Sequence, residues 1–243
     1  PQGGPMTGIG NNFQAASLSN CFVIGQNYNI KLDGYVEVGF DAVKAIVNAV
    51  GGVEIELTES EAAYLNATNY IRPAKYRNVK AGTHILNGAQ ALGYSRIRKQ
   101  AKGITPVTPN GKMDDYGRTW RQRNVINAIF NKAKGTSLPK LMDMAQTILS
   151  KYVTTDLNSQ DIIGYMKDVV MMGTMEIYQL QIPMDGYFTT QANYQAPGST
   201  TNLGSVILPD MTTNTAALKD FIFKYKGTPG QEYTYGGSTA APQ

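Results

Sequence analysis

The sequence predicts an α/β fold, and three observations carry that reading. Tyr35-Val36-Glu37-Val38-Gly39-Phe40 and Val53-Glu54-Ile55-Glu56-Leu57 each alternate apolar with polar residues, the period of a half-buried strand. Between them Val43, Ile46, Val47 and Val50 recur at helical spacing. The rest of the chain is rich in helical patterns, so a strand-helix-strand, βαβ-like unit within a helix-rich chain points to α/β.

Taken in order, residues 1–10 are Gly/Pro-rich and read as loop. Asn12 to Ile24 carries Phe13, Ala16, Leu18, Phe22 and Val23, an amphipathic helix. Asp41 is placed to cap the helix that runs to Val50, and Gly51-Gly52 ends it where a left-handed residue is needed. Thr58-Glu59-Ser60-Glu61 is a capping-box pattern. Asn69 to Thr83 is irregular, Leu86 to Leu92 a short helix, and Tyr94 to Arg98 extended. Lys99 to Met113 is polar, with Pro106, Pro109 and Gly111, and reads as a surface loop. Asp115 to Lys134 is a long helix with Val125, Ile126, Ile129, Phe130 and Ala133 on its core side. Helices follow over Leu138–Tyr152 and Ser159–Val170, then a strand over Met175–Ile182 and a last helix over Met211–Lys226. Without a repeat or a linker signal, residues 1–226 read as one domain and 227–243 as a flexible tail.

Composition agrees with a folded chain. Only 16% of the 243 residues are charged while 42% are hydrophobic, against about 25% charged in an average globular protein. One cysteine, Cys21, excludes an internal disulfide framework, and one histidine, His84, excludes HExxH zinc chemistry. No apolar run approaches the ~18 residues of a membrane span. The opening Pro1-Gln2-Gly3-Gly4-Pro5 has neither an initiator Met nor a signal-peptide pattern, so the chain is expected to be processed or partial.

Charge is unevenly placed. Between Ala91 and Gly135 ten basic residues face only Asp114 and Asp115, a net +8, whereas the remainder, with 12 basic and 16 acidic residues, sums to −4. A local positive field points to an anionic ligand at one site. Arg96 and Arg98 lie two apart in the segment read as extended, so they point to one side. Arg118, Arg121 and Gln122 lie at i, i+3 and i+4 on the next helix, and Asp115 stands in its first turn. Such a set of arginines repels itself unless an anion lies between them, and arginine suits bidentate phosphate contact. A solvated basic helix face is the plainer alternative.

Familiar catalytic motifs fail. Gly93-Tyr94-Ser95-Arg96-Ile97 lacks the last glycine of a nucleophile elbow, and Gly111-Lys112-Met113 lacks the Ser/Thr of a P-loop. His84 reads as a structural or surface residue and Cys21 as a small core residue.

Four stretches carry a resemblance: Gly51-Gly52-Val53; Ala81 to Leu92 (AGTHILNGAQAL); Tyr94-Ser95-Arg96-Ile97-Arg98; and Asp115-Tyr116-Gly117-Arg118-Thr119-Trp120-Arg121-Gln122. Together they resemble the LytR-CpsA-Psr family of bacterial envelope proteins, first described as transcriptional attenuators. The motif run is ordered and covers Gly34 to Lys134.

The resemblance implies a central mixed sheet flanked by helices on both faces. It also implies a hydrophobic pocket for a polyprenyl chain, with the lipid phosphate at a mouth lined by arginines. The implied reaction is phosphotransfer of a glycopolymer from a polyprenyl-pyrophosphate carrier onto peptidoglycan, usually assisted by Mg²⁺. By motif match Arg96, Arg98, Arg118, Arg121 and Gln122 bind pyrophosphate, with Arg121 equally readable as a helix-face ion pair. Asp115 and Arg118 are the catalytic candidates, and Gln90 is a structural hydrogen bonder. The family's first strands, with its Mg²⁺ ligands, are expected to precede Pro1, so no metal ligand is assigned and the chain alone is expected to be inactive. The expected location is the outer face of the bacterial membrane, anchored by a segment outside this chain. The rival readings are a non-catalytic polyprenyl-phosphate-binding module and a nucleic-acid-binding attenuator. One short basic face without interleaved aromatics disfavours nucleic acid as a partner.

Overall fold

A computed structural model of the chain describes residues 21–171 and 177–224. Its described residues group into two compact units, one within Val36–Met175 and a second within Pro1–Tyr35 and Glu176–Gln243. The tail over 227–243 and the first part of the helix expected over Asn12–Ile24 lie outside the described residues.

In the Val36–Met175 unit, β1 (Val36–Val38) pairs antiparallel with β4 (Val153–Thr155), Val36 opposite Thr155. Helix α2 (Phe40–Ala49) starts from Gly39 rather than Asp41; Asp41 stands in its first turn, ion-paired with Lys44 at 2.5 Å. Gly51 and Gly52, at φ +83° and +92°, turn the chain out of α2, a conformation that costs a glycine little. β2 (Val53–Leu57) buries Val53, Ile55 and Leu57 and exposes Glu54 and Glu56. It pairs antiparallel with β3 (Gly82–Leu86), Val53 opposite Leu86. β3 falls across the end of the stretch read as irregular.

Two capping boxes set the helices around this hairpin. The Thr58 hydroxyl accepts from Glu61 N, and Glu61 Oε2 accepts from Thr58 N at 3.0 Å, opening α3 (Glu59–Ala67). Asn87 and Gln90 do the same for α4 (Gly88–Ser95), and Gln90 Nε2 also donates to the Tyr76 carbonyl at 3.1 Å. Helix α4 lies close on α2: Gly88 N donates to Asn48 Oδ1 at 2.8 Å, and a Cβ at Gly88 would run into the Lys44 backbone. Three longer helices follow, α5 (Asp114–Ala133), α6 (Leu138–Tyr152) and α7 (Ser159–Met171).

The core gathers Val47, Val53, Ile55, Leu57, Tyr64, Leu65, Ile71, Leu86, Tyr94, Ile97 and Val125. On α5 the core stripe is Gly117, Arg121, Val125 and Ala133, whereas Ile126 is 50% and Phe130 37% exposed. The expected apolar face is therefore narrower than the sequence implied: residues four apart share a stripe, and Ile126 and Phe130 belong to the next one.

The second unit holds α1 (residues 21–28), the antiparallel pair β5 (Phe188–Gln191) and β6 (Val206–Pro209), and α8 (Met211–Phe223). Buried Asn214 holds the loop before β5: its Oδ1 accepts from Met184 N at 2.9 Å and its Nδ2 donates to the Tyr187 carbonyl at 2.9 Å. Of the strand expected over Met175–Ile182, residues 177–182 show only a single β-bridge residue, Gln179, and 175–176 lie outside the described residues.

The α/β class holds. Among the described residues the strands form three antiparallel pairs, β1–β4, β2–β3 and β5–β6. β1 and β2, the strands that flank α2, do not pair with each other. The alternation in β2 explains this, since strands of a parallel sheet are buried on both faces and read as continuous apolar runs.

Candidate functional site

The basic window folds into three environments. In the first, Asp115 Oδ1 lies 2.8 Å from Arg98 Nε and 2.7 Å from Arg118 Nη2. Arg98 follows α4; Asp115 and Arg118 stand in the first two turns of α5, three residues apart and hence on one face. The three side chains are 46%, 46% and 35% exposed, so the cluster opens to solvent. Its formal charge is +1, and Arg118 Nε is buried without a hydrogen-bond partner. The anion that the arginine set requires is thus supplied by Asp115 itself, and a net positive charge remains on the cluster.

In the second environment Arg96 is the C-cap of α4, in the right-handed helical region at φ −99° and ψ −9°. This corrects the extended reading of Tyr94–Arg98: α4 continues to Ser95, so Arg96 and Arg98 are not period-two neighbours on a strand. The helix persists because Gly93, Tyr94 and Ser95 are buried, and Tyr94 is fully so. The Arg96 guanidinium lies 4.6 Å from the Phe40 ring centroid and 5.3 Å from that of Tyr70, a cation–π arrangement that fixes a long side chain at the surface. Phe40 also lines a cavity of about 380 Å³ between residues 39–42 and 150–154.

In the third environment Arg121 is fully buried. Its Nε donates to Glu61 Oε1 at 2.7 Å, Nη1 to the Ile97 carbonyl at 3.3 Å and Nη2 to the Pro106 carbonyl at 3.2 Å. It does not share an open face with Arg118, because the i+3 step carries it onto the stripe of Val125. Gln122 is exposed. The structure therefore brings together Asp115, Arg98 and Arg118, stacks Arg96 on two rings, buries Arg121 and leaves Gln122 on the surface.

Sequence reasoning missed Glu61, Phe40 and Tyr70. The capping box already used Glu61 as a helix-start residue, and nothing in its spacing revealed that its second oxygen meets Arg121. Around these groups burial raises two phenols. Tyr64 is pushed up to about 12, chiefly by burial and then by Tyr70. Tyr94 is raised by burial, with Glu61 adding to it and the Asn124 amide opposing it; Asn124 Nδ2 donates to the Tyr94 oxygen at 3.1 Å. His84 is exposed on β3, its Nε2 3.0 Å from the Ala81 carbonyl. Among the described residues no three His, Cys, Asp or Glu side chains converge as metal ligands, and Asp115 Oδ1 is held by two guanidiniums. The described residues do not fit a Mg²⁺ site.

A family model described as the LytR_cpsA_psr family matches residues 19–206. The polyisoprenyl-teichoic acid–peptidoglycan teichoic acid transferase TagU of Enterococcus faecalis is 32% identical over 189 residues, covering 75% of this chain and 53% of that protein. TagV of Bacillus subtilis, named as the same kind of transferase, is 30% identical over 128 residues, 53% of this chain and 29% of TagV. The chain thus spans about half the length of the TagU it matches, and less of TagV. Among solved structures, Lin1025 of Listeria innocua superposes at a TM-score of 0.53 and 20% identity, over 84% of this chain and 79% of that one. The B. subtilis TagV structure does so at 0.52 and 22%, over 82% and 68%. These likenesses show a shared fold.

Proposed function

Because the chain belongs to the LytR-CpsA-Psr family, we propose that it moves a glycopolymer from a polyprenyl-pyrophosphate carrier onto a peptidoglycan hydroxyl. The observation that carries this reading is the carboxylate of Asp115 held between Arg98 and Arg118 at 2.8 and 2.7 Å. Two partly exposed guanidiniums offer the planar donor pairs that phosphate oxygens take. The names of the E. faecalis and B. subtilis relatives, which are teichoic acid transferases, support the substrate class.

The chemistry follows from those groups. The acceptor hydroxyl oxygen forms a bond to the phosphorus that carries the glycopolymer, and the bond from that phosphorus to the bridging oxygen breaks. Polyprenyl phosphate leaves with the electron pair. Arg98 and Arg118 neutralise the charge that grows on the bridging and leaving oxygens, a contribution made where the charge develops. Asp115, at the same spot, takes the hydroxyl proton as the bond forms, a role that contributes about 10²–10⁴-fold when the geometry is right. Arg96, held over Phe40 and Tyr70, adds positive potential. A location outside the cytoplasmic membrane follows from such substrates; among the described residues no helix is long and apolar enough to cross a membrane.

A second reading, polyprenyl-phosphate binding without transfer, is favoured by one observation, the engagement of Asp115 by both arginines. One experiment separates the two. The chain is given a lipid-linked glycopolymer and peptidoglycan, with and without Mg²⁺. Glycopolymer on peptidoglycan, lost in Asp115→Ala, supports transfer. Tight lipid binding without any product supports the binding module.

A further inference from the structure

Arg121 is the largest fully buried side chain among the described residues. Its fork reaches three different segments, the start of α3 through Glu61, the turn after α4 through the Ile97 carbonyl, and the loop before α5 through the Pro106 carbonyl. Those segments are tied to one another as well. Glu61 Oε2 accepts from Thr58 N at 3.0 Å, the Thr58 hydroxyl donates to the Val107 carbonyl at 2.8 Å, and Val107 N donates to Ser60 Oγ at 3.0 Å. Gly117 leaves the space this requires, because a Cβ there would stand 2.9 Å from Arg121 Nη1 and 3.0 Å from the Lys112 carbonyl.

A buried ion pair is poor value as a source of stability, since desolvation offsets most of its attraction and apolar residues of similar volume often do as well. Its placement here has another consequence. The Ile97 carbonyl belongs to the peptide that leads into Arg98, and Arg121 sits three residues beyond Arg118 on α5. Both arms of the Arg98–Asp115–Arg118 cluster therefore hang from one rigid planar group.

We propose that Arg121 is a positioning residue. It holds the Ile97 carbonyl against α5, so that Arg98 meets Asp115 and Arg118 at the spacing a phosphate requires. The proposal rests on the phosphate reading of that cluster. Lysine cannot replace the fork, because its single ammonium cannot span the carboxylate and two carbonyls in a fixed plane.

The test uses Arg121→Lys and the apolar pair Arg121→Met with Glu61→Leu, farnesyl pyrophosphate as the probe, and the Arg98 Nε–H signal in arginine-labelled protein by NMR. The variants are first checked for cooperative unfolding. The expected result is a folded protein that binds the probe about tenfold or more weakly, the scale of a displaced binding group. Its Arg98 Nε–H signal shifts and exchanges faster with water. A folded variant with wild-type affinity and an unchanged Arg98 signal would overturn the proposal. If the apolar pair fails to fold, Arg121→Lys carries the same two readouts. If wild type binds no farnesyl pyrophosphate, the phosphate reading falls, and the Arg98 signal alone then supports or overturns the positioning role.

Discussion

Replacing Asp115 with Asn removes one negative charge from between Arg98 and Arg118 and keeps the side chain's shape. The two ion pairs, at 2.8 and 2.7 Å, join side chains that are between 35% and 46% exposed. Pairs so exposed are each worth about 0.2–1 kcal/mol to folding, so stability should fall by about 1 kcal/mol. The effect on ligand has the opposite sign. A phosphate that touches both guanidiniums lies about 5 Å from the carboxylate, where unit charges repel by about 0.8 kcal/mol in bulk water and about 3 kcal/mol at an effective dielectric of 20. For a half-open site about 1–2 kcal/mol is reasonable, so farnesyl pyrophosphate should bind about five- to thirtyfold more tightly. Transfer should move the other way and fall by about 10²-fold or more, because the group that takes the hydroxyl proton is gone. Calorimetric titration gives the affinity, urea unfolding the stability, and product on peptidoglycan the transfer. Weaker binding by a folded Asp115→Asn would refute the electrostatic reasoning.

Glu61→Gln leaves the Arg121 charge buried and unpaired, and should cost about 3–5 kcal/mol; a shift in urea midpoint equivalent to under about 1 kcal/mol would show that the pair is not closed to water. Gly88→Ala drives a methyl into the Lys44 backbone and should destabilise by about 1–3 kcal/mol. Gly164→Ala, in α7 with open space around it, should stabilise by about 0.5–1 kcal/mol, and thermal unfolding of both checks the contrast. Tyr64 keeps its proton up to about 12, against an ordinary 10.0, and Tyr94 is raised as well. The native state thus holds protons that the unfolded chain releases, so their contribution is intact below pH ~10 and is lost as pH rises towards about 12. Tyrosinate absorbance should rise together with loss of circular dichroism; ionisation of these two phenols in a still-native protein at lower pH would contradict their burial.

Local signals were legible in the sequence wherever the determinant was local. The alternation of Val53 to Leu57, the Thr58–Glu61 capping box, the Gly51-Gly52 exit and the span of α6 needed no partner to be read. Long-range pairing was not legible. β3 exposes Gly82 to Ile85 and is a strand because β2 lies beside it, and β1 finds its partner only after α6. The site shows the same division. Spacing put Asp115 and Arg118 on one face, whereas Arg98 was singled out by a two-residue spacing from Arg96 that the helix does not keep and by the family motif. Arg96 was misread because α4 outlasts its apolar pattern, held by Gly93 against Ile71 and Tyr70. The burial of Arg121 had a visible sign, its four-residue step to Val125 on the core stripe, but a cation there makes sense only once Glu61 is known to face it.

The proposed transfer depends on Arg98 and Arg118 holding the donor's phosphate. The most direct test is the rate at which labelled glycopolymer passes from its polyprenyl-pyrophosphate carrier to peptidoglycan, measured for wild type, Arg98→Ala and Arg118→Ala. Against the inactivity expected from the sequence alone, the proposed function requires labelled peptidoglycan with wild type and a loss of about 10²–10³-fold in each folded variant, the scale of removing one donor from a developing charge. Folded variants that label peptidoglycan as fast as wild type would contradict it.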